Sequence, residues 1–380
     1  MRKLPAMLFG FLVLSCVPGQ KKIAQSKSNK IEIKVNKNIE LLGLGYFIGF
    51  EGVGIEKKTV EVNGKTIPKK EWHNYGFKIY NEFKPFATSA NLAACFSVAD
   101  HLWLDYLTAF LLQVDDVPNA YLKNSIPKKY YLNFSKQKNL EEAKKNAEKF
   151  LNGLNSFATE VNFEKYLSDS KDYYDKVIEE VVNKLPNKKF IKVMENFYKE
   201  DFDKYVLVPS LTIPKGMGFG IKNPSKNETK IFNIFGALDF QEFEDNNNLK
   251  MGFANQEKLR ELSVHEFGHS FVNPVIAKLP GGLFTQTEHL FKPLKLTMSN
   301  QGYTTWSACV YEHFVRAGEI IIAEKIGEKK NAKKLLFEYQ INRQFKYLPE
   351  IIIELRKYDK GEYKSYYQMA EKVMETLKEL

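Results

Sequence analysis

The run His265-Glu266-Phe267-Gly268-His269 constrains this chain more than any other stretch, because its two histidines stand four residues apart. On an α-helix such residues project from nearly the same face, one turn above the other. Two imidazoles so placed can bind one metal ion at about 2 Å. The glutamate is rotated by about 100° from the first histidine, which sets its carboxylate beside the metal. The pattern predicts a zinc-binding helix in which Glu266 exchanges protons with a metal-activated water.

The residues around this motif are typical of a helix. Leu259, Leu262 and Val264 precede the motif at helical spacing, and Asn273-Pro274 predicts the helix end just beyond it. Gly268 would cost a purely structural helix about 1 kcal/mol relative to alanine. A small residue beside a metal is better explained by close packing. The context therefore favours a metal site over a surface pair of histidines.

A catalytic zinc takes a third protein ligand and leaves one position for water. Three downstream residues compete for that role: Glu312, Glu288 and His313. Helical geometry favours Glu312, because apolar residues cover most of its helix and leave it in one narrow charged stripe with Arg316 and Glu319. Charges on a buried helix need partners, and a metal would be one. His313 falls within the apolar face, and a simple Glu312–Arg316 surface pair remains an alternative.

Hydrolysis also needs a donor that stabilises the developing oxyanion. Tyr303, just before the helix of the third ligand, and Arg316 are the expected catalytic donors, and His289 is a further possibility. The sequence does not rank the three. His73 and His101, in the N-terminal half, are interpreted as structural.

Charge argues against a nucleic-acid-binding protein. The 380 residues carry a formal net charge of +10, but the 56 basic and 46 acidic residues are interspersed along most of the chain. Lysine dominates the basic set, and neither an arginine-rich helix nor a zinc-finger spacing is present. The interpretation is a lysine-rich, solvated surface. A hydrophobic content of 44% is typical of a packed globular protein.

The first residues predict export and lipid anchoring. Arg2 and Lys3 precede an apolar segment over residues 4–14, which suits a signal peptide and is too short for a membrane span. Val13-Leu14-Ser15-Cys16 resembles the bacterial lipobox, although Leu14 is bulkier than usual at its place. We expect residues 1–15 to be the signal peptide, Cys16 to carry the lipid, and residues 16–30 to be a flexible tether. The expected location is the bacterial cell envelope, at the periplasmic face or the cell surface.

The rest of the chain predicts an α+β fold in two regions. Residues 31–204 are expected to be mostly helical after a half-buried strand at residues 31–35. Residues 205–380 carry strand-like runs, the metal-binding helix and C-terminal helices. Gly216, Gly218 and Gly220 precede another strand and predict a hairpin, since no phosphate-loop sequence follows them. Cys95 and Cys309 are either one disulfide bridge or two buried free thiols.

The motifs His265–Phe271 (HEFGHSF) and Tyr311–Ala317 (YEHFVRA) resemble those of the zincin metallopeptidases, nearest the gluzincin-like group. The resemblance spans roughly residues 205–325. It implies a zincin-like core, in which a small mixed sheet precedes the active-site helix, with His265, His269 and Glu312 as zinc ligands and Glu266 as general base. An opening sequence at Asn38-Ile-Glu-Leu-Leu also resembles an uncharacterised family of exported bacterial lipoproteins with the HEFGHSF motif. Two features depart from the gluzincin pattern: no asparagine precedes Glu312, and Arg316 replaces a common acidic residue.

Together these features predict a zinc metallopeptidase that acts on peptide or protein substrates, with Glu266 as general base. Two alternatives remain at this stage. One is a surface-binding lipoprotein whose zinc site is structural or vestigial, and the other is a zinc-dependent amidase, because the same water activation serves several carbonyl substrates.

Overall fold

A four-stranded mixed sheet organises the protein, for which this computed structural model describes residues 30–380 except 63, 187–188, 226–227 and 246. The strands of the chain are β1 (Ile31–Ile33), β2 (Thr59–Val62), β3 (Lys65–Pro68), β4 (Lys204–Pro209), β5 (Gly218–Pro224) and β6 (Thr229–Phe235). The sheet has the order β1-β4-β6-β5, while β2 and β3 form a separate hairpin. β1, β4 and β6 are parallel, and β5 pairs with β6 in the antiparallel direction. β5 is therefore an edge strand.

Helices surround this sheet. They are α1 (Lys37–Tyr46), α2 (Lys69–Trp72), α3 (Asn74–Phe83), α4 (Ala90–Phe96), α5 (Leu104–Leu111), α6 (Leu140–Glu160), α7 (Phe163–Asp169), α8 (Lys171–Asn183), α9 (Lys189–Tyr198), α10 (Gln256–Ile276), α11 (Gly281–Thr287), α12 (Lys295–Asn300), α13 (Trp306–Lys325), α14 (Lys329–Phe337), α15 (Leu348–Asp359) and α16 (Tyr366–Leu377). Two π-helical turns, Phe47–Glu51 and Glu338–Asn342, extend α1 and α14. Short 3₁₀ turns lie at Lys84–Phe86, Lys128–Tyr130, Leu132–Phe134 and Glu288–Phe291. The predicted α+β class is confirmed: the protein combines many helices with a small mixed sheet.

The predicted hairpin is confirmed, but two of the glycines expected in a turn lie in its first strand. Gly218 and Gly220 lie within β5, and the chain turns between Pro224 and Thr229. The predicted end of the metal-binding helix at Asn273-Pro274 is wrong, because α10 continues to Ile276. A proline removes only one hydrogen bond when it lies in the last turn, and the Ala277 amide still donates to the Asn273 carbonyl at 2.9 Å.

The two sequence regions share the sheet. Residues Ile31–Leu380 form one compact unit, and β1 from the first region pairs with β4 at the start of the second. The predicted boundary between the two regions, at residue 205, thus lies at the start of the central strand β4. The predicted signal peptide, the lipidated Cys16 and the tether up to residue 29 lie outside the described residues. Within residues 30–380 as described, we find no helix with the length and apolarity needed to cross a bilayer.

The core fixes α10 between the sheet and α13. On the sheet side, the ring of Phe267 packs edge-on against Tyr205 of β4, with 5.3 Å between centroids. One turn later, Phe271 stacks on Tyr198 of α9 at 4.8 Å. α13 is buried along nearly its whole length, as its apolar circumference predicts. Cys95 and Cys309 are both buried and free.

Candidate metal centre

Helix α10 begins at a well-formed cap and carries the two motif histidines into the interior. The Asn255 side chain accepts a hydrogen bond from the Lys258 amide at 3.0 Å, and Glu257 lies in the first turn near the positive end of the helix dipole. Two and three turns later, the rings of His265 and His269 meet edge-on with 4.8 Å between centroids. Their Nε2 atoms lie 3.3 Å apart. The helical register expected from the motif is therefore present.

Glu312 of α13 completes a triangle with these nitrogens. Its Oε1 lies 3.5 Å from Nε2 of His265, and its Oε2 lies 3.6 Å from Nε2 of His269. In a tetrahedral zinc site with bonds of about 2.1 Å, neighbouring ligand atoms lie roughly 3.4 Å apart. The two distances end on different oxygens of Glu312, so the three side chains have the donor types of a two-histidine, one-carboxylate zinc site and distances close to its spacing.

The outer nitrogens of both imidazoles have oxygen partners. Nδ1 of His265 lies 3.1 Å from Oε2 of Glu319, whose Oε1 accepts a hydrogen bond from the Tyr339 hydroxyl at 3.1 Å. Nδ1 of His269 lies 3.4 Å from Oδ1 of Asn273. A hydrogen bond from Nδ1–H to oxygen fixes the tautomer that presents Nε2 as an electron-pair donor. Both rings are thus oriented as metal ligands require.

Arg316 neutralises the carboxylate of Glu312 within the protein interior. Its Nη2 lies 2.6 Å from Oε1 of Glu312, and both side chains are almost fully buried. The guanidinium lies between the rings of Tyr339 and Phe345, 4.4 and 4.9 Å from their centroids. Burial alone would raise the pKa of Glu312, but Arg316 and the two histidines outweigh it and hold that pKa well below its usual value. Glu312 is therefore ionised and available to a cation.

The pKa values of the two histidines are shifted in opposite directions. Burial lowers the pKa of His265, but the carboxylates of Glu312 and Glu319 outweigh burial and raise it above the usual value. Burial and the neighbouring His265 lower the pKa of His269 to about 4. His269 is consequently neutral at pH 7, with an imidazole lone pair free to bind a metal.

Glu266 lies beside the histidines at the base of an open cleft. Only 5% of its surface is exposed, and burial raises the pKa of its carboxyl to about 7. The edge strand β5 comes very close to it: a Cβ at Gly218 would lie 2.7 Å from Oε1 of Glu266, and one at Gly220 would lie 2.0 Å from its carbonyl oxygen. Glycine at these two positions therefore allows β5 to lie against α10.

The cleft has a volume of about 590 Å³ and extends from the metal-site residues to the surface. Glu266, His269, Asn273 and Tyr303 line one side, together with the β5 backbone. Burial and the Glu312 carboxylate raise the pKa of Tyr303 to about 12, so its phenol keeps its proton. The Tyr303 phenol also hydrogen-bonds to the Glu312 carboxylate and helps to lower the pKa of that group. The facing wall comes from the region before residue 110, which the motif analysis did not associate with the site.

The remaining sequence-predicted residues lie away from these ligands. Glu288 and His289 are exposed, and Nδ1 of His289 contacts only the nearby Gln286 carbonyl, at 3.1 Å. His313 is buried with Nδ1 2.7 Å from the Cys309 carbonyl, and its ring packs on aromatic residues. Burial lowers the pKa of His313 to about 4. Of the three alternatives for a third ligand, only Glu312 lies within reach of both histidines.

The two other histidines that sequence analysis assigned to structure make structural contacts. Nδ1 of His73 accepts a hydrogen bond from the Lys215 amide at 3.2 Å, and its Nε2 lies 3.2 Å from Oε1 of Glu51. Nε2 of His101 lies 3.0 Å from the Asn133 carbonyl. Neither belongs to the ligand triangle.

Sequence reasoning missed the roles of Glu319 and Asn273. Glu319 was placed on the charged stripe of α13 but received no partner. Its position, seven residues after Glu312 on one helix face, was the signal that it lies near the same site. Asn273 lies four residues after His269 on α10 and was interpreted only as a helix-end residue. Asn273 could have been found by extending the four-residue spacing beyond the motif, and Glu319 by the seven-residue spacing from Glu312.

Comparison with known proteins identifies a family without an assigned activity. A family model described as a domain of unknown function, DUF4932, matches residues 69–375, and the chain belongs to that family. Neither the curated proteins nor the solved structures include a match. The matched span contains α10 and α13, which carry the ligand triangle, and α4 and α5, which border the cleft.

Proposed function

We propose that this protein is a zinc-dependent hydrolase, and specifically a metallopeptidase with a zincin-like core. The proposed zinc ligands are His265, His269 and Glu312, and the proposed general base is Glu266. The observation that carries the proposal is the triangle of 3.3, 3.5 and 3.6 Å between the two Nε2 atoms and the Glu312 carboxylate. A carboxylate beside this triangle, at the base of an open cleft, is the arrangement that hydrolysis requires.

Zinc bound at this site would supply a Lewis acid that activates water and polarises a carbonyl. Glu266 would take the proton of the attacking water and deliver it to the leaving amine. The low exposure of its carboxyl keeps bulk water from competing for the proton.

Tyr303 and Arg316, the two expected oxyanion donors, differ in their access to the cleft. The Tyr303 side chain lines the cleft and keeps its phenolic proton, so we propose that its hydroxyl, which hydrogen-bonds to Glu312 in this structure, becomes the donor to the developing oxyanion when substrate enters. The Arg316 guanidinium is 95% buried beneath Glu312 and is engaged by that carboxylate. We propose that Arg316 positions the third ligand rather than touching substrate.

The edge strand supports a peptide as the substrate. β5 pairs with β6 on one side only, and residues 217–220 line the cleft next to Glu266. An extended peptide can add to such an edge by backbone hydrogen bonds, which would place its carbonyl groups along the cleft floor. The open cleft also supports a catalytic site over a closed structural one, in which four protein ligands would surround the zinc.

Substitution of Glu266 by glutamine tests the proposal, because glutamine retains the shape but cannot take up the proton. Purified protein is loaded with zinc, its metal content is measured, and a peptide library is digested. We expect Glu266→Gln to retain zinc and lose cleavage by at least a hundredfold. Glu257→Gln, in the exposed first turn of the same helix, is the matched control. Unchanged cleavage by Glu266→Gln would end the hydrolase proposal, and bound zinc without cleavage by the unsubstituted protein would favour a structural zinc site.

A further inference from the structure

The cleft wall that faces the metal-site residues is aromatic and partly exposed. Phe50, Phe96 and Trp103 line it, and 46% of Phe50 and 66% of Trp103 remain accessible to solvent. Large apolar side chains are normally buried, so an exposed cluster beside a candidate active site indicates a surface that is covered when a ligand binds. This wall belongs to the N-terminal helical region, outside the segment that carries the metal motif.

The packing of the wall holds Phe50 and Phe96 against neighbouring rings. Tyr46 stacks on Phe50 with 5.7 Å between centroids, and Phe50 meets Phe96 edge-on at 4.7 Å. Aromatic rings fixed in this way lose little conformational freedom when a ligand packs on them. The wall is therefore preorganised for contact with an apolar group.

The charge of the cleft differs from the charge of the whole chain. The protein has 56 lysine and arginine residues, yet the described residues that line the cleft include neither type. Asp100 and Asp105 belong to the aromatic wall, and Glu266 lies across from them. A negatively charged side chain packed on the aromatic wall would meet Asp100 and Asp105 without a lysine or arginine in the lining to offset them. The aromatic wall thus disfavours acidic side chains.

We propose that Phe50, Phe96 and Trp103 form a subsite for a large apolar side chain of a peptide substrate, and that Asp100 and Asp105 disfavour an acidic side chain at this subsite. This inference rests on the proposed function, and it specifies peptides with a large apolar side chain as the substrates of the proposed peptidase. The occupant is a peptide side chain because the same cleft contains the β5 edge and Glu266. The N-terminal helical region would then select the substrate, while residues of α10 and α13 would carry out its hydrolysis.

Binding to the zinc-loaded Glu266→Gln protein tests the subsite separately from catalysis. Matched peptides that carry phenylalanine, glycine or aspartate at each position in turn are titrated by calorimetry. We expect at least one position where phenylalanine binds about tenfold more tightly than glycine and aspartate more weakly than glycine. Trp103→Ala should remove most of the phenylalanine preference. Tyr121→Ala, which removes a 57% exposed aromatic side chain outside the cleft lining, should leave it unchanged.

The outcomes separate this inference from the proposed function. Equal binding of the phenylalanine and glycine peptides at every position, or a preference that survives Trp103→Ala, would overturn the subsite. Cleavage of the same peptides by protein with an intact Glu266 is measured in parallel. Cleavage that depends on Glu266 but not on Trp103 would leave the hydrolase proposal standing without the subsite. A Trp103-dependent preference without any cleavage would support the subsite and count against the hydrolase.

Discussion

Nδ1 of His265 and Oε2 of Glu319 lie 3.1 Å apart, across the interface between α10 and α13. The contact joins the helix with the metal motif to the helix with the third ligand. Glu319 is held in turn by the Tyr339 hydroxyl at 3.1 Å. A carboxylate that accepts a hydrogen bond from Nδ1–H increases the basicity of the opposite nitrogen. It also fixes the orientation of the ring, and both effects strengthen metal binding.

Replacement of Glu319 by glutamine should weaken zinc binding. The amide keeps the size of the side chain but removes the charge that makes His265 a better ligand, so we expect the zinc affinity to fall by about 10- to 100-fold. Competition with a chromogenic chelator measures that affinity. Glu324→Gln, on the same helix in a partly exposed pair with Arg356, is the control. An unchanged zinc affinity in Glu319→Gln would show that this contact does not tune the metal site.

The loss of stability caused by Arg316→Met should be larger without zinc than with it. Without metal, the variant buries the ionised Glu312 without its cation, a change that costs about 3–5 kcal/mol. Zinc would supply a replacement cation, so the loss should largely disappear in its presence. Urea unfolding with a chelator and with excess zinc measures both free energies of unfolding.

Arg356→Met serves as the control for that substitution, because Arg356 and Glu324 form a solvent-accessible pair worth at most about 1 kcal/mol. The cost of Arg356→Met, relative to the parent protein, should be the same with the chelator and with excess zinc. If zinc fails to restore Arg316→Met, Glu312 does not bind the metal in the variant, and the proposed third ligand loses its support.

The local sequence predicted that His265 and His269 share a helix face and favoured Glu312 over Glu288 and His313 as their partner, because helical spacing determines which side chains share a face. The spacing of His265 and His269 and the charged stripe containing Glu312 both follow from the geometry of a single helix. The contact of His265 with Glu319 depends instead on how two helices pack. That packing is set by side chains distributed over the whole core, which no short pattern contains.

The cleft wall was not predictable for a related reason. Phe50 and Trp103 stand more than 150 residues before the motif, and their sequence surroundings are those of ordinary core helices. Their exposure beside Glu266 becomes visible only when the N-terminal region packs against β5. Gly218 and Gly220 were likewise expected in a turn, because a strand rarely contains glycine unless another backbone approaches closely. Here α10 provides that close approach.

Gly220→Ala should separate β5 from α10. A Cβ at this position would lie 2.0 Å from the carbonyl oxygen of Glu266, so the strand or the helix must move, at a cost of about 1–3 kcal/mol. We expect both a lower free energy of unfolding and weaker peptide binding. Gly281→Ala, in α11 with no atom within 4 Å of the added carbon, is the matched control and should be neutral or slightly stabilising. Equal stability of the two variants would contradict the close approach.

Glu40 should make the stability of the protein fall as the pH rises. Its carboxyl is fully buried near the start of α1, and Oε2 accepts a hydrogen bond from the Tyr174 hydroxyl at 2.7 Å. Burial raises its pKa from 4.5 to about 7, although several hydrogen bonds oppose that shift. The folded state therefore holds this proton more tightly than the unfolded state does. The resulting stabilisation is complete below about pH 4.5 and is lost as the pH rises to about 7.

Glu40→Gln should remove that pH dependence, because an amide remains neutral throughout. The shift from 4.5 to about 7 corresponds to roughly 3 kcal/mol, so the variant should gain up to that amount on the parent protein between pH 4.5 and pH 8. Urea unfolding of both proteins across this range, in the presence of a chelator, measures the difference. Glu141→Gln, at an exposed position in the first turn of α6, should show no such trend. A constant difference between parent and Glu40→Gln would mean that the pKa of Glu40 is the same in the folded and unfolded states, and would contradict the raised pKa.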